Sequence, residues 1–179
     1  MLKSKIRKKI LNIRKKKGNK DINFSFSEIF KKLQKNKFKT IGGYYPVNFE
    51  VDTLNFLNDL EKKGYKICLP VIKKNKQMDF YLWTFNDLLK LNKLGIPEPE
   101  KIKKVIPELI LVPLVAFDKK LFRIGYGGGY YDRYIEKIKK IKKFLSIGLA
   151  FEFQKVKKLK VEKFDQKLNI ILTNKRAYK

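Results

Sequence analysis

The segment RIGYGGGYYDRY, Arg123 to Tyr134, gathers residue types that handle anions. Gly125, Gly127, Gly128 and Gly129 leave the backbone bare, so amide N–H groups can approach a ligand closely. Helical periodicity begins at Tyr130. A helix starting there aims free N–H groups and the positive end of its dipole at the same place. That arrangement suits a phosphate. The two familiar phosphate fingerprints are absent, because each, started at Gly125, requires glycine where Tyr130 stands. A plain surface turn is the competing reading, but such turns rarely carry two tyrosines and an acid. Asp132 offers a carboxylate that could hold Mg²⁺ bridging phosphates. It is equally a first-turn acid, which the helix dipole favours by about 0.3–1 kcal/mol. Arg123 could clamp a phosphate bidentately or stand as a solvated loop cation. Tyr130 and Tyr131 either stack on a flat ligand or pack inward.

These residues need a scaffold. Apolar positions 2, 6, 10, 11 and 13 predict a first helix over Leu2 to Lys17, ended by Gly18 and Asn19. Ser25 to Glu28 reads as a capping box for a second helix carrying Ile29, Phe30 and Leu33. Asp52 can cap a third, with Leu54, Leu57 and Leu60 inward. Strands are predicted over Thr40–Tyr45, Lys66–Val71, Ile110–Pro113, Leu145–Ala150 and Leu168–Leu172, with the aromatic DFYLW as another. The proline-rich Gly95 to Lys101 is read as a loop. Positions 131, 134, 135, 138 and 141 mark the helix after the glycines. Strands alternating with helices predict one α/β domain over residues 1–179. Its parallel or mixed sheet has helices on both faces and a Gly-rich phosphate loop between strand and helix. Ligands of such sheets bind in loops at the carboxyl ends of strands.

Composition narrows the chemistry. With 179 residues and 44% hydrophobic content, the chain can build one sizeable core. It has no histidine, which excludes His-based triads and metal sites. Cys68 lies in an apolar run and reads as a packed thiol, without a disulfide partner. No apolar run is long enough to span a bilayer and no leader pattern follows the basic N-terminus, so a cytoplasmic, non-membrane protein is expected. The net charge is +27, from 44 Lys+Arg against 17 Asp+Glu. Only Arg7, Arg14, Arg123, Arg133 and Arg176 are arginine, and the lysines are spread along the chain. Nucleic-acid binding is the alternative reading, but it predicts clustered arginine and a fingerprint such as an RNP motif, and neither is present.

The segment VPLVAFDKKLFRIGYGGGYYDRY closely resembles the signature of the 5-formyltetrahydrofolate cyclo-ligase family, also called 5,10-methenyltetrahydrofolate synthetases. The order of pieces agrees along the chain. Lys3 and Arg7 match an N-terminal K-x-x-x-R. Tyr44 to Pro46 and Glu50 to Thr53 match a YxP…E-x-D-T pattern. Gly95 to Pro99 match G-I-x-E-P, and Asp165 matches a late acid before the last strand. The resemblance implies ATP- and Mg²⁺-dependent conversion of 5-formyltetrahydrofolate, with or without a polyglutamate tail, to 5,10-methenyltetrahydrofolate, ADP and phosphate. It implies a place in one-carbon metabolism; a monomer without a specific nucleic-acid partner is expected. By position it assigns Lys3, Arg7, Arg123, Ile124, Gly125, Tyr126, Gly127, Gly128, Gly129, Tyr130 and Tyr131 to ATP, with charge stabilisation by Lys3, Arg7 and Arg123. Tyr45 and Glu50 are assigned to folate, and Tyr126 to Tyr130 to the boundary between the two ligands. Asp132 and Asp165 are assigned to Mg²⁺. The chain departs from the family pattern at Gly128, often Lys, at Tyr126, Arg in some relatives, at Leu94, often aromatic, and near Asn169, where an acid is usual.

Overall fold

The run Leu109–Pro113 can lie at the middle of a sheet because both its faces are apolar. Leu109 and Leu111 point one way, Ile110 and Val112 the other, and all four are fully buried. In the computed structural model, which describes residues 2–17 and 24–179, this run is a central strand of an eight-stranded sheet.

The strands are β1 (Thr40–Gly42), β2 (Lys66–Ile72), β3 (Met78–Leu82), β4 (Leu89–Leu91), β5 (Pro97–Pro99), β6 (Lys104–Val105), β7 (Leu109–Pro113), β8 (Ala116–Phe117), β9 (Arg123–Ile124), β10 (Leu145–Ala150), β11 (Ile170–Thr173) and β12 (Ala177–Tyr178). The large sheet has the order β12-β11-β10-β7-β1-β2-β3-β6. From β11 to β2 its strands run parallel. Strands β12, β3 and β6 are antiparallel to their neighbours. Two ribbons, β4-β5 and β8-β9, stand apart from it.

Helices α1 (Lys3–Lys17), α2 (Ser27–Asn36), α3 (Leu54–Lys62) and α4 (Tyr130–Lys139) cover this frame. Ile29 and Leu33 of α2 and Leu57 and Leu60 of α3 pack with Leu109, Leu111, Ile147 and Leu149 on one face. Tyr134, Ile135 and Ile138 of α4 pack with Ile110, Val112 and Ile171 on the other. Ile6 and Ile10 of α1 meet Val115, Ala116 and Ile124 beside the β8-β9 ribbon.

Local sequence readings are corrected in four places. The strand expected through Tyr45 stops at Gly42. The Ser25–Glu28 capping box is not formed: Phe26 occupies the N-cap without a side-chain bond, and Glu28 faces Lys31 and Lys179 instead. Pro97–Pro99, expected as loop, forms an edge ribbon with β4, where one side is open and proline is tolerated. The stop expected at Gly18 and Asn19 lies outside the described residues. The residue at the N-cap of α3 is Thr53, not the expected Asp52, which lies one position earlier and accepts the Leu54 N–H on its carboxylate at 2.9 Å.

The shortness of β1 makes room for a site. Beyond its last pairing, Gly42 to Cys68, neighbours β7 and β2 continue to Pro113 and Ile72. A notch therefore opens at the carboxyl ends of three parallel strands.

Candidate functional site

That notch is a cavity of about 590 Å³. Its floor includes Pro70, Ile72 and Pro113 from the strand ends. One wall is the loop after β1, with Tyr44, Tyr45, Val47, Asn48 and Glu50. The opposite wall is the glycine segment, Gly125 to Gly129, continuing into Tyr130, Tyr131 and Asp132 of α4. Asn92 and Leu94 to Pro97 close a third side.

The glycine segment turns where only glycine is comfortable. Gly127 and Gly129 have φ of 108° and 65°, in the region that side-chain-bearing residues rarely adopt. Flanking side chains pin the loop. Arg7 donates from Nε to the Gly125 carbonyl at 2.8 Å. Arg133 donates from Nη2 to the Gly128 carbonyl and from Nε to the Lys76 carbonyl, the latter at 2.8 Å. Arg123 is buried, pairing with Asp132 Oδ1 at 2.9 Å and donating to the Gln166 carbonyl at 2.8 Å. Asp132 also accepts the Gln166 N–H at 3.0 Å. Its carboxylate is thus oriented at the foot of the loop by a fixed guanidinium.

The facing wall carries a buried acid. Glu50 is 4% exposed, and its Oε2 accepts the Val47 N–H at 2.9 Å. Burial pushes this carboxyl up to about 7, opposed by the Val47 amide, the charge of Arg14 and a hydrogen bond with Tyr126. Tyr126 is itself pushed up to about 12, first by burial and then by Glu50. Behind it lies Arg14, 1% exposed, which donates from Nη1 to the Leu114 carbonyl at 3.2 Å and from Nη2 to the Tyr126 hydroxyl. A chain of polar contacts, Arg14 to Tyr126 to Glu50, therefore links α1 through the glycine segment to the loop after β1.

Of the sequence-assigned residues, Tyr45, Glu50, Arg123, Gly125, Tyr126, Gly127, Gly128, Gly129, Tyr130, Tyr131 and Asp132 meet around this one cavity. Arg7 reaches the loop from behind. Lys3, Ile124 and Asp165 are not part of the wall. Lys3 is bound to Asp165 at 2.6 Å and to Glu162 at 3.2 Å, and the Ile124 side chain is in the α1 core. Arg14 was missed, although it continues the buried Ile6, Ile10 stripe at i+4 spacing. Asn48, Lys76 and Asn92 had no sequence signal of their own.

An open α/β sheet with a glycine turn and a helix start facing a buried acid across one cleft is the kind of site in which an enzyme can hold an anionic ligand beside a hydrogen-bonding one. The sequence pattern of the 5-formyltetrahydrofolate cyclo-ligase family matches residues 1–174. The chain is 33% identical over 147 residues to the 5-formyltetrahydrofolate cyclo-ligase of Haemophilus influenzae, covering 78% of each chain. It is 33% identical to that of Mycoplasma genitalium over 76% of this chain and 73% of the relative. Among solved structures, it superimposes on the 5,10-methenyltetrahydrofolate synthetase of Aquifex aeolicus with a TM-score of 0.75 and 30% identity, over 99% of this chain and 92% of that one. The Mycoplasma pneumoniae enzyme of the same name gives 0.74 and 26%, over 97% and 99%. The chain belongs to the 5-formyltetrahydrofolate cyclo-ligase family, a family of ATP-dependent ligases.

Proposed function

We propose that this chain carries out the cyclo-ligase reaction in the cavity between Glu50 and the glycine segment. The observation that supports this reading most is their meeting across one cleft, which lets two ligands lie against each other. Phosphoryl transfer needs little from a protein beyond alignment and charge neutralisation. The formyl oxygen of 5-formyltetrahydrofolate attacks the γ-phosphorus of ATP, the bond to the β-phosphate oxygen breaks, and ADP leaves. N10 then attacks the activated carbon, its proton passes to the departing phosphate, the carbon–oxygen bond breaks, and the methenyl ring closes. No histidine or protein nucleophile is required.

Gly127 to Gly129 and the start of α4 cradle the phosphates, with Arg7 fixing the loop behind them. Glu50 accepts hydrogen bonds from pterin N–H groups, and Tyr45 borders the ring. Arg14 acts through Tyr126, holding that hydroxyl toward Glu50 and favouring the ionised carboxyl. For Mg²⁺, Asp132 fits: it lines the cavity, and Mg²⁺ on a nucleotide takes one or two carboxylates plus phosphates and water. No group of three His, Cys, Asp or Glu that could hold a metal by itself occurs among the described residues. Asp165 would first have to release Lys3. Bound there, Mg²⁺ would neutralise charge on the transferring group.

The test is to mix the purified protein with 5-formyltetrahydrofolate, ATP and MgCl₂ and follow the methenyl chromophore. Appearance of the chromophore only when ATP is present supports the reading. No product at any nucleotide concentration contradicts it.

A further inference from the structure

The turn joining β2 to β3 carries Lys76 to the cavity wall, which Gly127 and Gly128 also line. The Gln77 N–H donates to the Lys74 carbonyl at 3.3 Å, closing a turn with Asn75 and Lys76 at its centre. Their φ values are 56° and 54°. Hairpin turns with both central residues at positive φ strongly favour Asn-Gly. Asn75 suits its position. Lys76 occupies the one best suited to glycine, and a Cβ there is disfavoured. Strain of this kind, kept at a cavity wall, points to a use for the side chain.

Most of the other cations near the cavity are already bound. The nearby Lys73, Lys104 and Lys137 are all bound to Asp79. Arg123 is committed to Asp132, Arg7 to the Gly125 carbonyl, and Lys3 to Asp165. Lys76 makes no ion pair among the described residues, so its ammonium is uncommitted. Arg133 bridges its backbone to the glycine loop by donating to the Lys76 and Gly128 carbonyls. The hairpin and the loop are thereby held as two sides of one cradle.

We propose that Lys76 is a substrate-contacting residue, supplying the flexible cation that meets the phosphate chain of the nucleoside triphosphate on the glycine loop. The proposal rests on the nucleotide reading of that loop given above. A lysine suits it, being a compact charge on a long stem that can follow a phosphate as it transfers.

Three variants and a control test it: Lys76→Ala, Lys76→Gly, Lys76→Arg and Lys74→Ala. Lys76→Ala should lower kcat/KM for ATP by about 10- to 100-fold, the range for losing a hydrogen bond to a charged group. The KM for the folate should change little. Lys76→Gly should lose ATP use in the same way yet raise Tm, because glycine relieves the turn. Lys76→Arg should recover part of the loss. Lys74→Ala removes one charge from the same hairpin and should leave kcat/KM for ATP as in the wild type. Wild-type kcat/KM in Lys76→Ala and Lys76→Gly overturns the proposal, as does an equal loss in Lys74→Ala, which would mean bulk charge alone. Wild-type protein that forms no methenyl product sinks the functional reading and this proposal with it. Turnover in the wild type and undiminished ATP use in the variants sinks the proposal alone.

Discussion

Glu50, the proposed folate contact, is a carboxyl buried in the cavity wall. Its folded value near 7 stands above the ordinary 4.5, because burial disfavours the charge. The unfolded chain therefore ionises first. Stability from this group is fully present below about pH 4.5 and is lost as the pH rises to about 7. In Glu50→Gln that titration is gone, so Tm should fall less than in the wild type between about pH 5 and about pH 7.5, measured by thermal melts. Equal falls would mean that Glu50 is not the titrating group. Asp79 does not interfere. Burial would raise it, but hydrogen bonds from Lys73, Lys104 and Lys137 outweigh that and draw it down to about 2, so its loss of stability lies in acid. Asp132→Asn makes a second test. The amide keeps an oxygen for Arg123 and Gln166 but is a poor Mg²⁺ ligand beside phosphates. The fold should survive by circular dichroism, while turnover drops and the Mg²⁺ requirement rises. Normal turnover at low Mg²⁺ would remove Asp132 from the metal site. Asp132 and the glycines were legible because their types and spacing are local. Arg14 was not, since a basic residue in a Lys-rich helix looks solvated until tertiary packing buries it.

At the level of elements, the site depends on β1 ending early. Gly43 lies directly against α3: a Cβ built there would stand 2.4 Å from Leu57 Cδ1 and 3.0 Å from Cδ2. Leu57 is fully buried, so moving it requires its packed neighbours to shift. Gly43→Ala should cost about 1–3 kcal/mol in denaturant melts, as an overpacked core does. It should also raise the KM for the folate, because Tyr44 and Tyr45 follow directly. An unchanged midpoint would mean that α3 yields freely. The sequence pattern showed the long buried strands and α4 well, since β7 and β10 read as aliphatic runs and α4 keeps a 3.6-residue stripe. It overran β1 because Ile41 to Tyr45 stays apolar past the point where pairing stops, and the close approach of Leu57 is a long-range fact. It also took Pro97–Pro99 for loop, because an edge ribbon tolerates prolines that a central strand would not.

Across the whole molecule, two apolar layers hold the sheet, and the notch between its parallel strand ends is where both ligands are proposed to bind. No described helix is long and apolar enough to cross a membrane. The net charge of +27 surrounds a cleft whose expected ligands are anions, and such a field raises their local concentration. The central event proposed for that cleft is phosphoryl transfer from ATP to the formyl oxygen. Labelling that oxygen with ¹⁸O tests it most directly. The purified protein is given labelled 5-formyltetrahydrofolate, ATP and MgCl₂, and the released phosphate is analysed by mass spectrometry. One labelled oxygen is expected in each phosphate, with methenyl product, ADP and phosphate formed in equal amounts. Unlabelled phosphate accompanying methenyl formation would contradict it, since the formyl oxygen would then have left by another route.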